Sequence, residues 1–201
     1  EVAAVASWDV VPYILNYRRS QLPIDYKSRH MVSAQVRCDS VTLNSALNTL
    51  GEKHPKLLFV EFCETDYYGH HGKWNEYLNA AHQNDAFIRK LWQYCQNDEF
   101  YKGNTTFIIT CDHGRGKSLG LHINRGEVDP AASWTEHGQH IAGSNQTWLV
   151  AFGKDIQHLG EVEGGKTIYT KQIAPTIASI LNVPFTNGDE QVATPIYKIL
   201  K

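Results

Sequence analysis

Thr65-Asp66-Tyr67-Tyr68-Gly69-His70-His71 begins five residues after the apolar run Leu57-Leu58-Phe59-Val60 and decides how this chain is read. A buried strand that runs into Asp, with His four residues later, delivers a carboxylate and an imidazole to one strand end when the loop after the strand curls back, which Gly69 helps by allowing backbone angles closed to other residues. The pattern recurs where Thr106-Phe107-Ile108-Ile109-Thr110 leads into Cys111-Asp112-His113-Gly114. A third histidine motif, Glu136-His137-Gly138-Gln139-His140, comes just before the strand-like Thr147-Trp148-Leu149-Val150-Ala151-Phe152. Any one of these segments could be a capped turn. Three strand ends that each deliver Asp or His predict a metal site at one edge of a sheet, because carboxylate oxygen and imidazole nitrogen suit Zn²⁺ and also accept Mn²⁺ or Fe.

Outward from these segments, strand and helix patterns alternate. Val2–Ala6 reads as a short buried strand, followed by a helical stretch with Val10, Val11, Ile14 and Leu15 on one face before Pro23. Asp39 or Ser40 is placed to cap a helix carrying Val41, Leu43, Ala46, Leu47 and Leu50. The longest helix is predicted from about Trp74 to Gln96, with Tyr77, Leu78, Ala81, Ile88, Leu91, Trp92 and Cys95 at spacings of three, four and seven. A last helix is predicted over roughly Lys171 to Leu181, before Pro184. The region 114–133 has no period and reads as a loop or insertion, and it carries His122. This order predicts an α/β fold, a mostly parallel sheet with helices on both faces, and sites in such sheets lie at the carboxyl ends of the strands.

Bulk composition narrows the class. A chain of 201 residues, 42% hydrophobic and 20% charged, fits a soluble globular protein with one substantial core, not a disordered one. A net charge of −2 gives no footing for nucleic acid as a partner. No apolar stretch approaches the ~20 residues of a transmembrane helix. The four cysteines form no CxxC pair, which argues against a thiolate zinc site.

Taken in order, Glu61…Asp66-x-x-Gly69-His70, Thr110-Cys111-Asp112-His113-Gly114 and Trp134-x-x-His137-Gly138 resemble the alkaline phosphatase superfamily over about residues 55–185. Within it, the pattern is most similar to type I phosphodiesterases (nucleotide pyrophosphatases). The resemblance implies a metal-dependent hydrolase of phosphate esters with two divalent ions, zinc or alternatively manganese, acting on a small-molecule substrate in a secreted or periplasmic setting. It implies that Asp66, His70 and His137 hold one ion and Asp112 with His113 the other, His140 being the alternative to His137. Arg115, next to the Asp-His-Gly motif, is a candidate contact for a substrate phosphate through its planar fork. Relatives carry a further ligand Asp and a Thr or Ser nucleophile well upstream, for which Ser7-Trp8-Asp9 and Asp39-Ser40 are poor matches. The expectation is therefore a single domain over 1–201 that forms the C-terminal part of a longer enzyme, with the nucleophile elsewhere. A sulfatase of the same superfamily and a non-catalytic metal-binding domain are the alternatives.

Overall fold

Val2–Ala6 forms β1, and its last four side chains are buried. The strand lies between β2 (Ile24–Asp25) and β3 (Leu57–Glu61) in a parallel three-stranded sheet. A central parallel strand is covered on both faces, which is why this run is apolar without alternation. Ala6 sits opposite Glu61, so β1 and β3 end side by side. The computed structural model describes residues 1–16, 22–117, 133–186 and 192–201.

The short helix α1 (Val11–Leu15) follows β1, and α2 (Asp39–Lys53) connects β2 to β3. Leu43, Ala46 and Leu50 of α2 fall at helix spacing and close on Val5 of β1. Phe87, Leu91 and Cys95 of α4 (Trp74–Asn97) complete the same core cluster, with Leu58, Val60 and Phe62 packed against it. Phe59 points to the other side of β3 and is 42% exposed. Burial of this kind stabilises by roughly 25 cal/mol per Å² of apolar surface and dominates the energetics of the fold.

A second ladder joins β4 (Thr106–Thr110) to β5 (Leu149–Gly153) in antiparallel sense, with Thr106 opposite Gly153 and Thr110 opposite Leu149. Trp92 of α4 docks this pair onto the rest of the core, edge-on to Phe107 at 5.4 Å and to Phe152 at 5.0 Å. On the far side, Leu149 and Ala151 of β5 pack with Ile180 of α5 (Ile173–Ile180) against Ile156, Ile196 and Ile199. The α/β fold with parallel strands is thus observed in β1–β3, while β4 and β5 form a separate antiparallel pair. The predicted helix before Pro23 ends at Leu15, and the predicted last helix begins with a 3₁₀ turn over Thr170–Gln172. Most of the predicted loop 114–133, including His122, lies outside the described residues.

A buried polar junction occupies the carboxyl end of β1. Ser7 Oγ donates to Asp39 Oδ1 at 2.6 Å and shares a 2.7 Å hydrogen bond with Thr42 Oγ1. Arg37 is fully buried; its Nε donates to Thr42 Oγ1 at 2.9 Å, and Nη1 pairs with Asp25 at 2.8 Å. Asp39, expected to cap its own helix, instead accepts the amides of Cys63 (2.9 Å) and Glu64 (3.1 Å) at the start of α3 (Glu64–His70). Glu64 in return accepts the Asp39 amide at 2.8 Å. Each acidic side chain caps the other's helix, satisfying amide groups that have no partner within their own helix.

Burial pushes the Asp39 carboxyl from its ordinary 3.8 up to about 6, against the lowering effect of its hydrogen bonds from Ser7 and Cys63. A raised carboxyl pKa favours the protonated form in the folded chain. Its contribution to stability is therefore full below about pH 4 and is lost as pH rises through about 6, a difference on the order of 3 kcal/mol. Urea unfolding of the wild type and Asp39→Asn between pH 4 and 7.5 checks this. The stability of the wild type relative to the variant should fall as pH rises across that window, and a difference that does not change with pH would contradict it.

Candidate metal centre

Asp66 and His70 were expected on a loop folded back by Gly69, but they lie on α3. One helical turn brings positions i and i+4 together, and His70 Nε2 stands 3.5 Å from Asp66 Oδ2. Gly69 has helical backbone and serves another purpose. A Cβ at this position would lie 2.6 Å from Cζ of Arg115, so its missing side chain is the space the guanidinium uses.

The second segment leaves the end of β4. His113 Nδ1 faces the Gly114 carbonyl at 3.0 Å, which places the ring proton on Nδ1 and leaves the Nε2 lone pair directed outward. That nitrogen stands 3.6 Å from Asp66 Oδ1 and 3.5 Å from Asp112 Oδ2. The Gly114 amide donates to the Ser144 carbonyl at 2.8 Å, and a Cβ on Gly114 would come within 2.2 Å of the Gly143 carbonyl oxygen. Glycine is required there by this backbone-to-backbone approach.

The third segment precedes its strand, where the other two follow theirs. Because Leu149 pairs with Thr110, β5 starts at the edge where β4 ends. Chain entering an antiparallel strand is thereby delivered to the same edge as chain leaving its neighbour. His137 arrives by this route. Its Nε2 lies 2.9 Å from His70 Nε2 and 3.7 Å from Asp66 Oδ1, and its ring stacks on that of His113 with centroids 3.5 Å apart. Burial, and then the neighbouring His113, lowers the His137 pKa, which favours the neutral imidazole that ligates metals.

Ligand atoms of Asp66, His113 and His137 all lie within 4.8 Å of one another. A carboxylate and imidazole nitrogens turned to one point, one of them with its tautomer fixed from behind, suit a divalent ion of borderline hardness. His113, which the resemblance assigned with Asp112 to a separate ion, stands as near to Asp66 as to Asp112. The Asp112 side chain sits at the rim, 82% exposed, with Oδ1 accepting the His113 amide at 3.0 Å. Arg115 points inward: Nη2 meets the Asp66 carboxylate and its carbonyl oxygen (3.1 Å), and Nη1 donates to the Thr135 carbonyl at 2.9 Å. His140 is exposed and is not a member of the Asp66, His113 and His137 group. His71 turns back to the Tyr67 carbonyl at 2.7 Å, and Trp134 packs against Trp74 and Tyr77. The Thr135 carbonyl was not foreseen, because a backbone acceptor leaves no mark in residue type.

Residues 11–184 match the family described as Metalloenzyme superfamily. A 2,3-bisphosphoglycerate-independent phosphoglycerate mutase from Gracilaria tenuistipitata var. liui is 33% identical over 143 residues, which is 71% of this chain and 24% of that protein. The chain thus spans about a quarter of the length of this curated relative. The resemblance seen in the motifs holds for the superfamily, and this relative is a mutase, not a nucleotide pyrophosphatase.

Zinc titrations in competition with a chromophoric chelator test the geometry. His137→Ala and Asp66→Asn should each weaken binding by roughly 10-fold or more, the scale seen when groups that hold or support a metal are lost, and His140→Ala should leave it unchanged. Retention of the ion in His137→Ala with loss in His140→Ala would reverse the assignment.

Proposed function

The chain belongs to the metalloenzyme superfamily, and from that premise we propose that it forms the metal-binding part of an enzyme acting on small phosphate esters. The observation that carries the reading is the convergence of Asp66, His113 and His137 from three separate segments on one point, with His70 beside Asp66 and His137. Two divalent ions, zinc or manganese, are proposed, with Asp112 at the rim available to the second. When bound, such ions supply Lewis acidity toward phosphoryl oxygen and lower the pKa of a hydroxyl or water they hold.

The chain's own residues supply the rest. Asp66 offers one oxygen to His70 and the other to His113 and His137, so its carboxylate is the hub of the donor set. The Nδ1 contact of His113 keeps its Nε2 free of a proton. Among the described residues, the hydroxyls nearest His137 in sequence are engaged locally. Ser133 bonds Thr135 at 2.8 Å, and Ser144 accepts the Gly138 amide at 3.0 Å. We propose that the nucleophile of the reaction lies outside this cluster, in another part of a longer enzyme.

Two acceptors are compatible with this site. Transfer to water makes a phosphodiesterase or phosphatase, as the motif order suggests. Transfer to a second hydroxyl makes a mutase, and the likeness to a phosphoglycerate mutase favours that variant. Both rest on the same ion-held phosphoryl group, so the common step is the one to test. Inorganic phosphate should bind the zinc-loaded chain and lose affinity at least 10-fold after Asp66→Asn or chelation, while turnover of bis-p-nitrophenyl phosphate stays slow. Equal phosphate binding with and without the ion would sink the reading. Fast turnover abolished by Asp112→Ala would show that the nucleophile lies within this chain.

A further inference from the structure

Arg115 touches all three segments that build the site. It belongs to the segment leaving β4, two residues beyond His113. Its Nη2 holds both the carboxylate and the carbonyl oxygen of Asp66 on α3, and its Nη1 holds the carbonyl of Thr135, two residues before His137. The side chain is only 11% exposed, and the niche it fills exists because residue 69 has no Cβ. A planar fork with several donors can join three acceptors at fixed angles, which a single ammonium cannot do. Resting on the metal-centre reading above, we propose that Arg115 is a positioning residue. It ties α3, the β4 exit and the segment before β5 together and so sets the mutual distances of Asp66, His113 and His137.

A guanidinium beside a cation site also repels the ion, and at short range that Coulombic effect rivals any gain from ordering the ligands. A test that removes the charge would mix the two. Two substitutions hold the charge constant. Arg115→Lys keeps the cation and loses the fork. Gly69→Ala keeps Arg115 itself and places a methyl group 2.6–2.9 Å from its guanidinium atoms, displacing them. Alanine is also the better helix former by about 1 kcal/mol, so α3 should be no less stable for the change.

Zinc affinity by chelator competition and thermal stability of the metal-free chain would be measured for wild type, Arg115→Lys, Gly69→Ala and Asp66→Asn. The expected result is zinc binding weakened roughly 10-fold in both charge-conserving variants, with the melting temperature of Gly69→Ala equal to or above that of wild type. A loss of affinity without a loss of stability separates positioning from a general structural role. Wild-type affinity in both variants would overturn the proposal. So would unchanged zinc affinity combined with weaker inorganic phosphate binding, which would make Arg115 a substrate contact. The underlying reading fails differently: wild type and Asp66→Asn would then bind zinc equally poorly, and the proposal would fall with it.

Discussion

The exchange of caps between Asp39 and Glu64 fixes where everything downstream begins. Two helices start side by side, 25 residues apart in sequence, and each carries an acidic residue in its first turn. Amide groups at a helix start need acceptors, and here each carboxylate supplies the other helix. Ser7 adds the end of β1 to the junction, and Glu61, at the end of β3, accepts the amides of Ser7 and Trp8 at 2.8 and 3.0 Å. The direction of α3, and with it the direction in which Asp66 and His70 project, is set by these bonds. Holding carboxylates out of water has a cost, visible in the raised pKa values of Asp39 and Glu61, both driven chiefly by burial. Removing one partner of such a network leaves the other buried and unsatisfied, which is more damaging than the net worth of the bonds suggests.

From that anchor the site is assembled by two different kinds of contact. Apolar packing positions the second ladder, with Trp92 wedged edge-on against Phe107 and Phe152. Backbone contact then brings the loops in, because the glycine at 114 lets its strand-exit segment lie directly on the carbonyls of Gly143 and Gln146. Packing of this sort fixes elements to within the tolerance of side-chain shape, while a metal site needs its donors held within a fraction of an ångström. The hydrogen bonds of Arg115 and the Nδ1 contact of His113 supply that finer order.

The cluster itself remains open to solvent. Asp66, His70 and His137 are each about one third exposed, so an ion and a phosphate ester can reach them. The lowered pKa of His137 favours its neutral form, and the Nδ1 contact of His113 turns the Nε2 lone pair of that ring toward the opening. A site with these properties fits the superfamily to which the chain belongs.

Strand ends, helix periods and the identity of the Asp and His residues were legible in the amino-acid order, because periodicity and residue chemistry are local properties. β1, α2, α4 and β4 lie where their patterns put them, within a residue or two. The order of the three motifs was likewise enough to place the chain in its superfamily. Three things were decided only by tertiary structure. Asp66 and His70 stand on a helix, because Asp39, far away in sequence, caps it. His137 reaches the others although its motif precedes its strand, because β5 pairs antiparallel with β4, and pairing sense is a choice between distant segments. Arg115 faces Asp66 and the Thr135 carbonyl, because residue 69 lacks a side chain just where the guanidinium passes. Each of these depends on what lies opposite a residue in space, and sequence spacing carries no record of that.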